Sequence, residues 1–179
     1  MNYFEEGVKA MELLYGKEVT LSLATVFDKK SNIRVVDTFF YGDAFYVSTY
    51  RLSKKCREIA INPHVALHQD FFVAYGMGYD IGSPLDSKNE QLRERFKNTF
   101  KTWYDIHVNE EDSNTCYVEI KLEDAIVFND NMKYVLNFKD KTGTRSEFIT
   151  DAIYENVDEL RREYIEDMMY EKIETWSKK

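Results

Sequence analysis

The sequence predicts a mainly β fold with peripheral helices: a six- to seven-stranded antiparallel β-barrel, closed or split. Three observations lead there. Several segments alternate apolar and polar residues with period two. The connections between them are tight turns, too short for the crossover of a parallel βαβ unit. Helical periodicity is confined to the two ends of the chain and two internal stretches.

In order, Phe4, Val8, Met11 and Leu14 fall at helical spacing within residues 3–15, and Gly16 ends that helix. "EVTLSLATVF" sets Val19, Leu21 and Leu23 against Thr20, Ser22 and Ala24, the pattern of a half-buried strand. "DKKSN" turns the chain, "IRVVDTFFY" returns, and "GD" turns it again into "AFYVSTY". A short helix over 53–62 stops at Pro63, and "HVALHQ" and "FFVAYGMGYDI" follow as two strands meeting at Gln69-Asp70. Ser83-Pro84 reads as a capped helix start, with Leu92, Phe96, Phe100 and Trp103 as its stripe. "TCYVEIKLEDAIVF" and "MKYVLNF" supply two more strands, and residues 154–177 a final helix with Val157, Leu160, Tyr164 and Met168 on one side. "VNEEDSN" and "DKTGTR" read as solvated loops.

No repeat or low-complexity linker divides the 179 residues, so one domain is expected over 1–179. A hydrophobic content of 44% is enough for a real core. The formal charge of −8 argues against a nucleic-acid partner and against attraction to anionic membranes. No apolar run has the length of a membrane span, and the acidic, amphipathic N-terminus does not read as a signal peptide, so a cytoplasmic location is expected. Cys56 and Cys116 are far apart without CxxC spacing, and reduced thiols are expected.

Against that acidic balance, "RLSKKCR" concentrates Arg51, Lys54, Lys55 and Arg57 at a helix start. A helix N-terminus already carries partial positive charge, so each lysine there costs roughly 0.3–1 kcal/mol. A bound phosphate reverses the sign, because it satisfies the orphan N–H groups and pairs with the ammoniums. Ser53, a good N-cap, and Thr49 would add hydroxyls. The alternative is that both lysines extend into solvent, where screening makes the penalty small. Arg34, on an otherwise mostly apolar strand, either reaches the same anion or forms a structural ion pair with Asp37 or Asp43.

Taken together, Arg34 and its apolar strand, then "FYVSTY", then "SKKCREIAINPHVAL", resemble the FMN-binding split barrels related to pyridoxamine 5′-phosphate oxidase. "VAYGMGYD" looks like that family's next strand, and the resemblance covers roughly residues 8–128, leaving a C-terminal strand and long helix over 132–179. It implies FMN as cofactor, with Arg34, Lys54 and Lys55 holding the phosphate and Ser53 and Thr49 donating to it. The backbone of Val35, Val36 and Asp37 would run beside the isoalloxazine ring, with Ser48 near the ribityl chain. It further implies a homodimer with FMN at the subunit interface. A flavin-dependent oxidoreductase drawing on a small donor such as reduced nicotinamide is the expected function. A non-catalytic flavin-binding stress or redox module, or a barrel adapted to deazaflavin or haem, are the alternatives. The sequence departs from the oxidases at Phe71, where they carry a flavin-contacting glutamine. It also lacks their C-terminal tryptophan and "Arg-Leu-x-Pro" segment, so oxidation of pyridoxamine phosphate itself is not expected.

Other candidates are weaker. His64 and His68 have HxxxH spacing, but on a strand they stand roughly 13 Å apart and cannot share a metal, so no metal site is expected. His107 is a candidate haem ligand only if the basic turn has no purpose. Cys56 sits where a thiol's pKa falls, yet reads as a small core-facing residue beside Ile59 and Ala60.

Overall fold

A computed structural model describes residues 2–148. Residues 1–146 form one compact unit; a second, from Glu147 onward, lies almost wholly outside the described residues, as does the final helix expected over 154–177. Helix α1 (Tyr3–Tyr15) is capped by Asn2, whose side chain accepts from the Phe4 N–H, and it buries Phe4, Ala10 and Met11. Strands β1 (Val19–Phe27) and β2 (Lys30–Tyr41) form a hairpin whose two turn residues, Asp28 and Lys29, both have positive φ, as a type I′ turn requires. Gly42, at φ 64°, helps turn β2 into β3 (Ala44–Tyr50). After helix α2 (Lys54–Ile61) come β4 (His64–Gln69), β5 (Phe72–Asp80), β6 (Thr115–Asn129), β7 (Met132–Asn137) and β8 (Thr142–Glu147).

The strand order is β3-β2-β1-β4-β5-β6-β7-β8, and a further β3–β6 pairing closes the first six strands into an antiparallel barrel. The length of β6 makes this possible. Its first half pairs with β3 (Tyr50↔Thr115 to Ala44↔Lys121), and its second half pairs with β7 (Asp124↔Asn137 to Asn129↔Met132). The two additional strands hang from the same ribbon. The barrel expectation is therefore met, with eight strands among the described residues against the expected six or seven; β8 falls on "DKTGTR", read as a loop.

Inward residues such as Leu21, Leu23, Val36, Phe45, Val47 and Leu67 fill the barrel. Tyr15 of α1 packs on Phe45 and Phe72 at one end. Ile59 of α2 lies against Gly78 at the other, where a Cβ on Gly78 would come within 3.1 Å of it. Outside the barrel, Phe39 and Tyr117 meet Phe96 and Phe100 of helix α3 (Glu90–Thr99) and Tyr104 of helix α4 (Tyr104–His107) in a second apolar cluster.

The α3 helix starts six residues later than the Ser83-Pro84 reading. Ser83 Oγ accepts from the Leu85 N–H, Asp86 from the Ser83 N–H, and the Asn89 amide donates to the carbonyls of Ile81 and Ser83. These local bonds offer the backbone an alternative to the helix. "VNEEDSN" is not simply solvated either: Glu110 pairs with Arg93 and accepts from the Tyr104 hydroxyl, fastening α3 and α4 together. No helix among the described residues is long and apolar enough to cross a membrane.

Candidate functional site

The ladder leaves an opening. β2 pairs with β1 over residues 30–38 but meets β3 only at Phe39↔Tyr46, Phe40↔Phe45 and Tyr41↔Ala44. Beyond Tyr46, β3 pairs only with β6. Alternate residues of β2 between 30 and 38 thus turn backbone N–H and C=O groups toward a gap that no strand among the described residues fills. Thr38 and Tyr46 bridge its narrow end, where the threonine hydroxyl donates to the Tyr46 carbonyl at 2.8 Å.

Helix α2 stands at the wide end. Ser53 is its N-cap, accepting from the Cys56 N–H, so the basic residues do occupy the first turn. Lys54 donates to Asn32 Oδ1 at 2.7 Å, across the gap on β2. Lys55 is half-buried and forms no ion pair among the described residues. Burial lowers its pKa; the neighbouring Cys56 opposes this, and the nearby Arg34 charge adds to it. An ammonium partly removed from water and left without a carboxylate partner among the described residues has room for an anion. Arg51, by contrast, is committed: it clamps Asp80 at 2.6 Å and the Ser113 carbonyl at 2.8 Å.

Arg34 is held from within the chain. Its partner is neither Asp37 nor Asp43 but Glu58 on α2, at 2.8 Å, and it also donates to Thr25 Oγ1 at 2.6 Å and to the Leu23 carbonyl. Thr25 in turn donates to the same Glu58 oxygen. The other oxygen, Glu58 Oε1, is buried without a hydrogen bond, and Lys54 Nζ faces it at 3.7 Å. Burial pushes the Glu58 pKa up, but the bonds from Thr25 and Arg34 and the charges of Arg34 and Lys54 outweigh it and hold the carboxyl below its ordinary value.

A depressed folded-state pKa means that this stabilisation is complete above the unfolded value of 4.5 and disappears as pH falls through the lower folded one. Urea midpoints measured from pH 6 down to pH 3 are therefore expected to fall less steeply in Glu58→Gln than in the parent. Parallel profiles would show that the carboxylate contributes nothing pH-dependent.

No family model matches the sequence, and the search of curated proteins returns no match. Solved structures do match in shape. General Stress Protein 26 from Bacillus anthracis str. Sterne superposes with TM-score 0.52 at 22% identity, covering 65% of this chain and 89% of that one. A putative pyridoxamine 5′-phosphate oxidase from Listeria innocua gives 0.51 at 16% identity over 68% and 94%. A pyridoxamine 5′-phosphate oxidase-related, FMN binding protein from Nostoc punctiforme gives 0.51 at 13% over 82% and 97%. The fold is that of the pyridoxamine 5′-phosphate oxidase-like split barrels.

Within this split barrel the expected site residues divide. Val35 and Asp37 point outward and are exposed, Asp37 accepting from Thr20, while Val36 points into the core. All three pair with β1 and lie on the stretch of β2 that does not pair with β3. Thr49 pairs with Cys116 on the inner face, beneath the start of α2, whereas Ser48 pairs with Tyr117 on the outer face. Neither hydroxyl makes a hydrogen bond among the described residues.

Phe71 does not join the site within one chain. It sits in the β4–β5 turn, 65% exposed, packed on Phe128, at the opposite end of β5 from Gly78. Six residues of strand separate them by roughly 20 Å. His64 and His68 are exposed on β4, and no group of residues among those described could hold a metal ion.

Thr25 and Glu58 were missed from the sequence. The signal was there for Thr25, a polar residue in the inward register of Leu21 and Leu23. For Glu58 it was the i,i+4 spacing from Lys54.

Proposed function

We propose that this split barrel binds FMN in the gap between β2 and β3, with the phosphate at the N-terminus of α2. The observation that carries this reading is the half-buried Lys55, an ammonium at the N-terminus of α2 with no carboxylate partner among the described residues. The residues present fit the group. Lys54 and Lys55 would hold the phosphate, with Ser53 and Thr49 alongside. The unpaired backbone edge of Val35, Val36 and Asp37 offers donors and acceptors to a flat heterocycle, and Ser48 would lie near the sugar chain. Arg34, tied to Glu58, contributes positive charge at one remove.

A homodimer completes the reading. Ile33, Ala24, Ala66 and Tyr75 are in cross-strand register on the outer face of β2, β1, β4 and β5, and Ile33 and Tyr75 are 72% and 54% exposed. That exposed apolar row suits a second copy of the chain. Phe71, remote and exposed in its own subunit, would reach the cofactor only from the other one.

Bound flavin supplies the redox chemistry, drawing electrons from a small donor such as a reduced nicotinamide and passing them to an acceptor. The protein's own part is to grip the phosphate, orient the ring and control access. Phe71 cannot make an amide's hydrogen bonds, so oxidation of pyridoxamine phosphate is not proposed. A cytoplasmic setting and the absence of nucleic-acid partners belong to the same reading, the latter resting on the net charge of −8.

Protein purified without added cofactor is expected to show the two-band visible spectrum of oxidised flavin, bleached by anaerobic reduced nicotinamide. Flavin bands that persist under the reductant would leave a binder without that activity. A colourless protein that does not take up FMN on titration, or one with an intense Soret band, would overturn the assignment.

A further inference from the structure

Cys56 and Cys116, 60 positions apart in sequence, meet at the foot of α2. Cys56 lies in the helix's first turn and Cys116 opposite Thr49 on β6; both thiols are free and buried in the same core cluster, close enough that each shifts the other's ionisation. They differ in surroundings. Cys116 is 0% exposed, and the Asp80 carboxylate nearby raises its pKa. Cys56 lines a cleft of about 520 Å³ whose wall includes Arg51, Arg57 and Asp80. Around its sulfur stand the Cys116 thiol, the Ser53 hydroxyl and the Lys55 ammonium. The helix N-terminus adds a further positive field.

From this juxtaposition we infer that Cys56 and Cys116 form a dithiol site reactive toward small hydroperoxides, in which Cys56 is oxidised first and Cys116 resolves it as an intramolecular disulfide. The Cys56 thiolate attacks a peroxide oxygen, so an S–O bond forms, the O–O bond breaks, and hydroxide leaves to take up a proton. The Cys116 sulfur then attacks Cys56; the S–S bond forms, the S–O bond breaks, and the Cys116 proton leaves with the departing oxygen as water. Two thiols have lost two hydrogens, and hydrogen peroxide has become two waters.

The electrostatics support the order. The Cys116 hydrogen bond, with Ser53 and Lys55, outweighs burial and lowers the Cys56 pKa, while the Cys56 neighbour and burial raise that of Cys116. The attacking group is thus the more readily ionised of the two, and it is also the one that lines the cleft. No cofactor is needed, so the inference stands apart from flavin binding.

The test is hydrogen peroxide added in stoichiometric steps to the folded full-length protein, read by peptide mass spectrometry. The expected product is a single peptide pair joined through Cys56 and Cys116 and separated again by dithiothreitol. In Cys116→Ser, Cys56 should stop as the sulfenic acid and be captured by a cyclic 1,3-dione; Cys116→Ala replaces it if the hydroxyl disturbs the core. In Cys56→Ser, Cys116 should react at least roughly ten-fold more slowly. Thiols that oxidise only after denaturation, a product linking two chains, or Cys116 reacting first would each overturn the inference.

Discussion

Replacing Lys54 and Lys55 together by glutamate is expected to weaken FMN binding by roughly 10²–10⁴-fold, since each charge-assisted bond to phosphate is worth about 1.5–3 kcal/mol. The sign of the local field is what changes. The parent turn presents Lys54, Lys55 and the partial positive charge of α2, with one buried carboxylate, Glu58, already matched by Arg34. Two glutamates there favour the helix dipole but repel a dianion. Fluorescence quenching of titrated FMN gives the affinity, and far-ultraviolet dichroism shows whether the fold survives. Lys54 also bonds Asn32, so the paired glutamine variant is the milder companion; it should lose affinity in the same direction with less effect on the barrel. Undiminished FMN affinity in a folded double variant would remove the phosphate from this turn.

Arg34→Ala is expected to destabilise the protein by about 3–5 kcal/mol with no ligand present, as the loss of one partner from a buried pair does. The reverse truncation, Glu58→Ala, should cost less. Glu58 has a side chain 4% exposed and would be left as a buried anion held by Thr25 and, at 3.7 Å, by the exposed Lys54, whereas Arg34 is 21% exposed and keeps a path to water. Replacing both by leucine should restore much of what either single change loses. Urea denaturation of the four proteins measures the asymmetry and the coupling together. Equal losses from the two single variants, or an unstable double variant, would show that burial of Glu58 does not set the energetics of the pair. The result also separates two roles for Arg34, because a residue kept solely for phosphate would change affinity and leave apo stability alone.

Much of the barrel could be read from local pattern. Leu21 and Leu23 announce the inward face of β1, Asn2 and Ser53 announce helix starts, and the acidic turn residues mark hairpins. What escaped were contacts whose partners are remote. Glu58 pairs with Arg34 across 24 positions, and nothing near either residue says so; Asp37 and Asp43 were the closer candidates. The thiol pair spans an even longer interval and has no spacing signature. The start of α3 went wrong for a different reason, because side-chain bonds at Ser83, Asp86 and Asn89 competed with a proline cue that usually wins. For the candidate site, the basic turn is one short stretch and was visible; the unpaired β2 edge was not, because it depends on where β3 leaves β2 for the remote β6. Phe71 was not misread as a residue, but only three dimensions show that it belongs to the far end of its own barrel.

The β3–β6 pairing has a consequence for synthesis on the ribosome. Tyr50 must wait for Thr115, so the ring cannot shut until the last of its staves has emerged, long after the first hairpin has formed. Until then the nascent chain carries unpaired edges on β3 and β5, which are templates for intermolecular pairing. Expression yield, more than equilibrium stability, should therefore respond to changes that delay β6.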